Sequence, residues 1–147
     1  MSRVAVVGHY HGTSTRDLEA DQKEALNKIA ENFSQRVADI VASVTNPIFD
    51  DGLSDEEYLT SYAEHVASIE LPEGRLVKIA DFLDNAGRLS EVPPDKRAWL
   101  KSKYQPLIPI YDEFLHDSRL GALLSELGFL SLRLRFKKVS DNLLAMR

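Results

Sequence analysis

The stretch EGRLVKIADFLDNAGRLS, residues 73–90, indicates the fold of this chain. Its apolar side chains recur at the spacings of three and four residues that are typical of an α-helix, namely Leu76, Ile79, Ala80, Leu83 and Ala86. Further apolar residues widen this surface, namely Val77, Phe82 and Leu89. We therefore predict a helix that is buried over most of its circumference and lies at the centre of the molecule.

A second stripe on the same helix is polar. Its members follow one another at three or four residues and share one side of the helix: Lys78, Asp81, Asp84 or Asn85, and Arg88. Charged groups on a mostly buried helix are costly unless they are paired or bind a ligand. The stripe therefore has two interpretations, a buried ion-pair network with no further role or a ligand site.

The segment KIADFLDNAGRL, residues 78–89, resembles the KLADRLHN-type motif of HD-domain metal-dependent phosphohydrolases, most closely the RelA/SpoT-type hydrolases of guanosine tetraphosphate alarmones. In that family the aspartate of the motif binds a divalent metal, usually manganese, and the asparagine four residues later lies in the nucleotide pocket. The resemblance implies that Asp81 is a metal ligand and that Lys78 and Asn85 bind substrate. Asp84 occupies the place of a frequent histidine, and Gly87 that of an arginine.

The segments before this motif also resemble the family in their order and distances. RDLEAD (residues 16–21), Phe33-Ser34 and IVASVTNP (residues 40–47) occupy the places of its HDxxED run, its Phe-Gly pair and its VTK-like turn. The resemblance implies Asp17 as a second metal ligand and Asp21 as a catalytic residue. Arg16 replaces the metal-binding histidine of the family, and Ala20 replaces a glutamate. Because the first histidine ligand of the family lies well upstream, we expect the N-terminal part of the HD bundle to be truncated or divergent.

Residues 1–15 precede the first helical pattern, and we expect an irregular or flexible segment there, followed by a single helical domain over residues 16–147. His9 and His11 alternate and would share one face of an extended strand, where they are candidate substitutes for the missing ligands. A flexible tail is the alternative. The two glycines of this segment do not form a GxGxxG fingerprint.

Composition limits the class of protein. The chain has 147 residues, no cysteine and a net charge of −5. The absence of cysteine rules out a disulfide framework and a zinc–thiolate site. A negative net charge argues against a general nucleic-acid binder. No run approaches the ~20 apolar residues that span a bilayer, and MSRVAVVG is a poor signal peptide, so we expect a cytoplasmic protein with no membrane association.

Local signals predict the other helices. Ser34 favours a cap and divides a helical pattern into residues 16–33 and 34–45. Ser54 and Glu57 form a capping-box sequence before a helix that ends near Ile69. A further helix from Pro94 to Tyr104 should be kinked or split by the prolines that follow it, Pro106 and Pro109.

The last segment, residues 119–147, is predicted to be one long amphipathic helix with a leucine stripe. Its basic run RLRFKK, residues 133–138, suits a solvated face, a membrane surface or an acidic partner, and the leucine stripe suits a homodimer.

His65 is interpreted as a histidine at the edge of the core, because it has no neighbouring base-orienting group. His116-Asp117 spells the HD pair but follows the central helix, so it is interpreted as a helix C-terminus.

The predicted fold is an all-α, HD-domain-like bundle of five to seven helices. The resemblance implies a phosphohydrolase, active or catalytically impaired, that uses a divalent metal such as Mn²⁺ on a nucleotide or (p)ppGpp-type alarmone. A bound metal would lower the pKa of a water and polarise the phosphate. The alternative is a non-catalytic HD-like domain with a binding or regulatory role, which Arg16 in place of histidine favours.

Overall fold

Helices make up nearly all the regular structure of residues 15–146, the part of the chain that this computed structural model describes. In chain order they are α1 Thr15–Asn32, α2 Gln35–Val44, α3 Asp55–Ala67, α4 Pro72–Gly87, α5 Pro94–Tyr104, α6 Ile108–Phe114, α7 Ser118–Leu123 and α8 Glu126–Ala145. Two 3₁₀ turns are also present among these residues: Leu89–Glu91 follows α4, and Gln105–Leu107 joins α5 to α6 into one kinked helix. Counted in this way the described residues form seven helices, and the predicted all-α bundle is confirmed.

Two predicted helix starts are confirmed by their capping geometry. Ser34 has an extended backbone, and its hydroxyl accepts a hydrogen bond from the amide of Val37 at 3.1 Å, which begins α2. The hydroxyl of Ser54 accepts from the amide of Glu57 at 3.1 Å, while the Glu57 carboxylate accepts from the amide of Ser54 at 3.2 Å. Each cap satisfies amides that the first turn of a helix leaves without a partner.

The kink between α5 and α6 follows from proline. Pro106 and Pro109 lie in and just after the 3₁₀ turn, and neither has the N–H that would continue the α-helical ladder. The predicted kink is confirmed there.

The prediction of one long C-terminal helix is wrong. Leu124 has an extended backbone and ends α7, and the hydroxyl of Ser125 accepts from the amide of Gly128 at 3.0 Å to begin α8. Because the leucine spacing continues across this break, apolar periodicity alone did not predict it. The serine cap decides the boundary, because it offers the first amides of α8 a partner outside the helix.

Helix α4 lies at the centre, as predicted, and contacts α2, α5, α6, α7 and α8. The prediction that it is buried over most of its circumference is wrong, because one face, which includes Val77 and Asp84, is exposed. Its buried apolar side chains are Ile79, Phe82, Leu83 and Ala86, whereas Ala80 of the predicted stripe is exposed. The Phe82 ring lies 5.1 Å from that of Tyr111 and 5.8 Å from that of Phe136, measured between centroids. Aromatic rings from three helices thus meet around Phe82 and position α4.

A glycine allows α2 to approach the start of α4 closely. Gly74 is buried, and a Cβ atom there would lie 2.4 Å from Oγ of Ser43 and 3.1 Å from Cγ2 of Ile69. Contacts this short require something to move, so a residue without a side chain is needed at this crossing.

An ion-pair network ties α4 to α7. The Asp117 carboxylate accepts from Nη1 of Arg75 at 3.0 Å and from Nη2 of Arg119 at 2.8 Å, and it also caps α7 through the amide of Arg119. His116 lies just past the end of α6, where its Nδ1 is 2.8 Å from the carbonyl of Asp112. The interpretation of His116-Asp117 as a helix-end structure is therefore confirmed.

None of the helices in residues 15–146 is both long enough and apolar enough to cross a membrane. The expected irregular segment over residues 1–15, with His9 and His11, falls outside the described residues except for Thr15, which begins α1.

Candidate functional site

The polar stripe of α4 does not form one continuous cluster. Nδ2 of Asn85 donates to Oδ1 of Asp81 at 3.0 Å, and Nη2 of Arg88 donates to Oδ2 of Asp84 at 2.8 Å. The Arg88–Asp84 pair is mostly exposed, so it contributes little to stability. The part of the stripe that could bind a ligand is therefore its N-terminal end, around Lys78 and Asp81.

Lys78 is a charged residue inside the core, with only 6% of its surface exposed. Its Nζ donates to Oδ1 of Asn46, in the loop after α2, at 3.2 Å, and lies 5.5 Å from the ring centroid of Tyr62 on α3. Burial lowers the pKa of the Lys78 ammonium, and the negative charge of Asp81 acts in the opposite direction. The hydrogen-bond partner of this cation is the uncharged side-chain amide of Asn46. A buried ion-pair network therefore does not explain Lys78.

A second lysine reaches the same place from α5. Nζ of Lys103 lies 4.5 Å from the Tyr62 ring centroid and 6.0 Å from that of Tyr104. Burial lowers the pKa of Lys103, the charge of Lys78 lowers it further, and Asp81 raises it. The ammonium groups of both lysines thus lie close to the Tyr62 ring, and Asp81 is the carboxylate that acts on both. We call Lys78, Lys103, Tyr62 and Asp81 the lysine cluster.

The tyrosines of this region are neutral at physiological pH. Burial is the main cause that raises the pKa of Tyr104 to about 12, with Asp81 adding to it. Burial likewise raises the pKa of Tyr62, helped by Tyr104 and Asp81. Their rings offer the lysines cation–π contacts but no compensating negative charge.

A cavity of about 410 Å³ lies beside the lysine cluster, between the C-terminal half of α4 and α5. Asn85 and Tyr104 form part of its wall, and its charged residues are Lys96, Glu91 and Arg88, the last of which pairs with Asp84. This volume is within the range of small-molecule sites. Asn85 both bonds to Asp81 and lines the cavity, so it connects the two features.

His65 on α3 is half-buried, as predicted for a histidine at the edge of the core. Its Nε2 is buried and has no hydrogen-bond partner among the described residues. Burial lowers the pKa of His65, Lys78 lowers it further, and a backbone hydrogen bond with Thr45 raises it. Burial, and after it the charge of Lys78, thus favour the neutral form of the imidazole.

The predicted metal ligands come from two distant parts of the chain. Asp17 and Asp21 lie on α1, which packs against α2, whereas Asp81 lies on α4. Within residues 15–146 there is no group of three or more histidine, aspartate, glutamate or cysteine side chains arranged to hold a metal. Gln22, next to Asp21, donates to the carbonyl of Asn46 at 3.2 Å, which brings this part of α1 towards the loop that holds Lys78. Asp17 with Asp81 as a metal pair stays a prediction.

The sequence analysis named Lys78, Asp81 and Asn85 as candidates but did not name Lys103, Tyr62 or Tyr104. The missed residues lie on α3 and α5. In the sequence, Lys103 is marked only by its position next to Tyr104, and the other basic residues of α5 suit a solvent-facing surface. Comparisons of the chain with protein families, with curated proteins and with solved structures find no match.

Proposed function

We propose that this chain is an HD-like helical domain that binds a phosphorylated nucleotide of the (p)ppGpp type through the lysine cluster and the adjoining cavity, in a binding or regulatory role. The observation that carries the proposal is the position of Lys78 and Lys103 on the same Tyr62 ring with Asp81 as the nearby carboxylate.

The charges of this site favour an anion. Two lysines whose pKa values are lowered by burial repel each other, and one carboxylate offsets only one of them. A bound phosphate would supply the missing negative charge and would favour the protonated form of both amines. Interactions of this kind are strong where water is partly excluded.

The neighbouring cavity favours a nucleotide over inorganic phosphate. Lys96 adds a cation at a cavity that also presents the Asn85 amide, whereas Arg88 in the same wall is paired with Asp84. An amide side chain can both donate and accept hydrogen bonds, which suits the edge of a base. Phosphates at two ends of one ligand would then meet the lysine cluster and Lys96.

The test is equilibrium binding of guanosine tetraphosphate to the full chain in chelator. We expect saturable binding that is lost in the double variant Lys78→Met/Lys103→Met and kept in Lys28→Met, whose lysine is an exposed partner of Glu24 on α1. No binding at millimolar ligand, or equal binding by the double variant, would overturn the proposal.

Metal-dependent hydrolysis of the same class of ligand is the second candidate. It is favoured by Asp81, which is exposed and has one oxygen bonded to Asn85, while its other oxygen accepts no hydrogen bond among the described residues. Asp81 would bind Mn²⁺, with Asp17 as a second ligand and Asp21 as a catalytic group. Stoichiometric Mn²⁺ binding by calorimetry, lost in Asp81→Ala at unchanged helix content, would support it. Metal binding unchanged in Asp81→Ala would exclude this site.

Self-association through the C-terminal helix is a separate proposal, because it depends on another surface. The exposed leucines of α8 support it.

A further inference from the structure

The outer face of α8 carries an apolar stripe that is open to solvent. Leu127, Leu130 and Leu134 are 75%, 53% and 61% exposed and follow one another at helical spacing. The inner side of the same helix buries Phe136 and Leu143 in the core. Single exposed leucines are ordinary, but an aligned series on one face is typical of an interaction surface. We call these three residues the leucine face.

The leucine face has basic neighbours. Arg133 follows Leu130 by three residues and Lys138 follows Leu134 by four, so both adjoin the stripe. Neither forms an ion pair within residues 15–146, although Arg133 lies over the Phe129 ring at 5.6 Å. A partner for this face should therefore be apolar with acidic edges.

A groove with those properties lies elsewhere on the molecule, between α3 and the kinked α5–α6 helix. Its volume is about 640 Å³, and its apolar lining consists of Leu59, Ala63, Ala67, Trp99, Pro106 and Ile110. Its acidic residues all come from α3: Asp55, Glu56 and Glu64. We call this the α3–α5 groove.

We infer that the leucine face of one copy of this chain docks in the α3–α5 groove of a second copy. The two surfaces match in polarity, since each has an apolar centre, and they carry opposite charges at their edges. The helix that borders the groove is also longer than the leucine face. At 1.5 Å per residue, Leu127 to Leu134 spans about 10 Å and α3 about 20 Å. The inference extends the proposed self-association through α8 and does not depend on nucleotide binding.

The contact joins two different surfaces of the chain. If each copy docks its leucine face in the groove of the other, the two copies form a closed two-fold dimer with two such contacts, whereas a contact that is not reciprocated propagates into larger assemblies. Either arrangement makes the average mass depend on protein concentration.

Sedimentation equilibrium of the full chain tests the inference. We expect the average mass to rise above the monomer value of 16.5 kDa with concentration. Leu130→Asp/Leu134→Asp should weaken association by at least about tenfold, since charged groups would replace the apolar anchors. Val77→Asp is the matched control, because Val77 is an exposed apolar residue of α4 outside both surfaces. Helix content of each variant is checked by circular dichroism.

A charge exchange tests the groove itself. Glu64→Lys should weaken association, and Glu64→Lys combined with Lys138→Glu should restore it, because the exchanged pair is again of opposite sign. If the leucine variant dissociates while Glu64→Lys has no effect, α8 associates through another surface and the groove assignment is overturned. A wild-type chain that stays monomeric at all concentrations overturns self-association altogether, and the nucleotide-binding proposal is then judged by its own assay.

Discussion

The Nζ atom of Lys78 donates a hydrogen bond to Oδ1 of Asn46 at 3.2 Å, which joins the central helix to the loop after α2. Lys78 is buried, whereas Asn46 is exposed. A buried cation is costly unless it is paired or hydrogen-bonded. This cation is retained with an uncharged partner, which is the physical reason to expect a ligand at the site.

Lys78→Met should leave the protein as stable as the wild type or make it more stable. Methionine removes the desolvated charge and keeps most of the volume, and Asn46 can bond to water instead. Asn46→Ala should destabilise by about 1–2 kcal/mol, because the cation would remain buried without its hydrogen-bond partner. Urea unfolding of both variants measures the difference. A loss of more than about 3 kcal/mol in Lys78→Met would show that the Lys78 bond holds the loop in place.

Gly74→Ala should destabilise by about 1–2 kcal/mol, although alanine is the better helix former, because its Cβ atom would lie 2.4 Å from Oγ of Ser43. Ser43→Ala removes that oxygen and should recover part of the loss in the double variant. The contact between Cβ and Ile69 would remain. Thermal unfolding of the four proteins gives the coupling energy directly. Simple additivity of the two single changes would contradict the proposed clash.

Asp117→Asn should destabilise by about 2 kcal/mol at neutral pH, because the Asp117 carboxylate accepts hydrogen bonds from both Arg75 and Arg119. These arginines hold the pKa of Asp117 at about 2, below its ordinary value of 3.8. The contribution is therefore present above pH 4 and is lost as the pH falls towards 2. Unfolding curves of both proteins across this range should converge at low pH. Asp84→Asn is the control, since its exposed ion pair with Arg88 should matter little. A constant difference at all pH values would contradict the argument.

Alkaline pH should unfold the protein above pH 10. Burial raises the pKa of Tyr62, Tyr104 and Tyr111 in the folded state, that of Tyr104 to about 12. An unfolded chain ionises its tyrosines near pH 10. The stability that comes from keeping these buried phenols neutral is therefore complete below pH 10, and it is lost as the pH rises through the pKa values of the folded state. Tyrosinate absorbance should increase together with the loss of helix signal, and less steeply in Tyr111→Phe. Ionisation of these tyrosines near pH 10 in a fully helical protein would contradict the prediction.

Local sequence determined where most helices begin and bend. The Ser34 and Ser54 caps and the kink at Pro106 and Pro109 were predicted from a few neighbouring residues, because each depends on hydrogen bonds or steric limits within one turn of chain. The apolar spacing of residues 73–90 also identified the central helix. The break at Ser125 was missed because a cap there interrupts a leucine pattern that continues on both sides.

The tertiary structure alone decided which side chains surround Lys78. Tyr62 and Lys103 reach it from α3 and α5 and are separated from it along the chain, so no spacing rule connects them. It also decided that Phe82 is buried and Ala80 is exposed, because the positions of five neighbouring helices fix which side of α4 faces the core. Helix formation depends on contacts within about four residues, whereas burial and electrostatic environment depend on packing between segments that only the folded chain brings together.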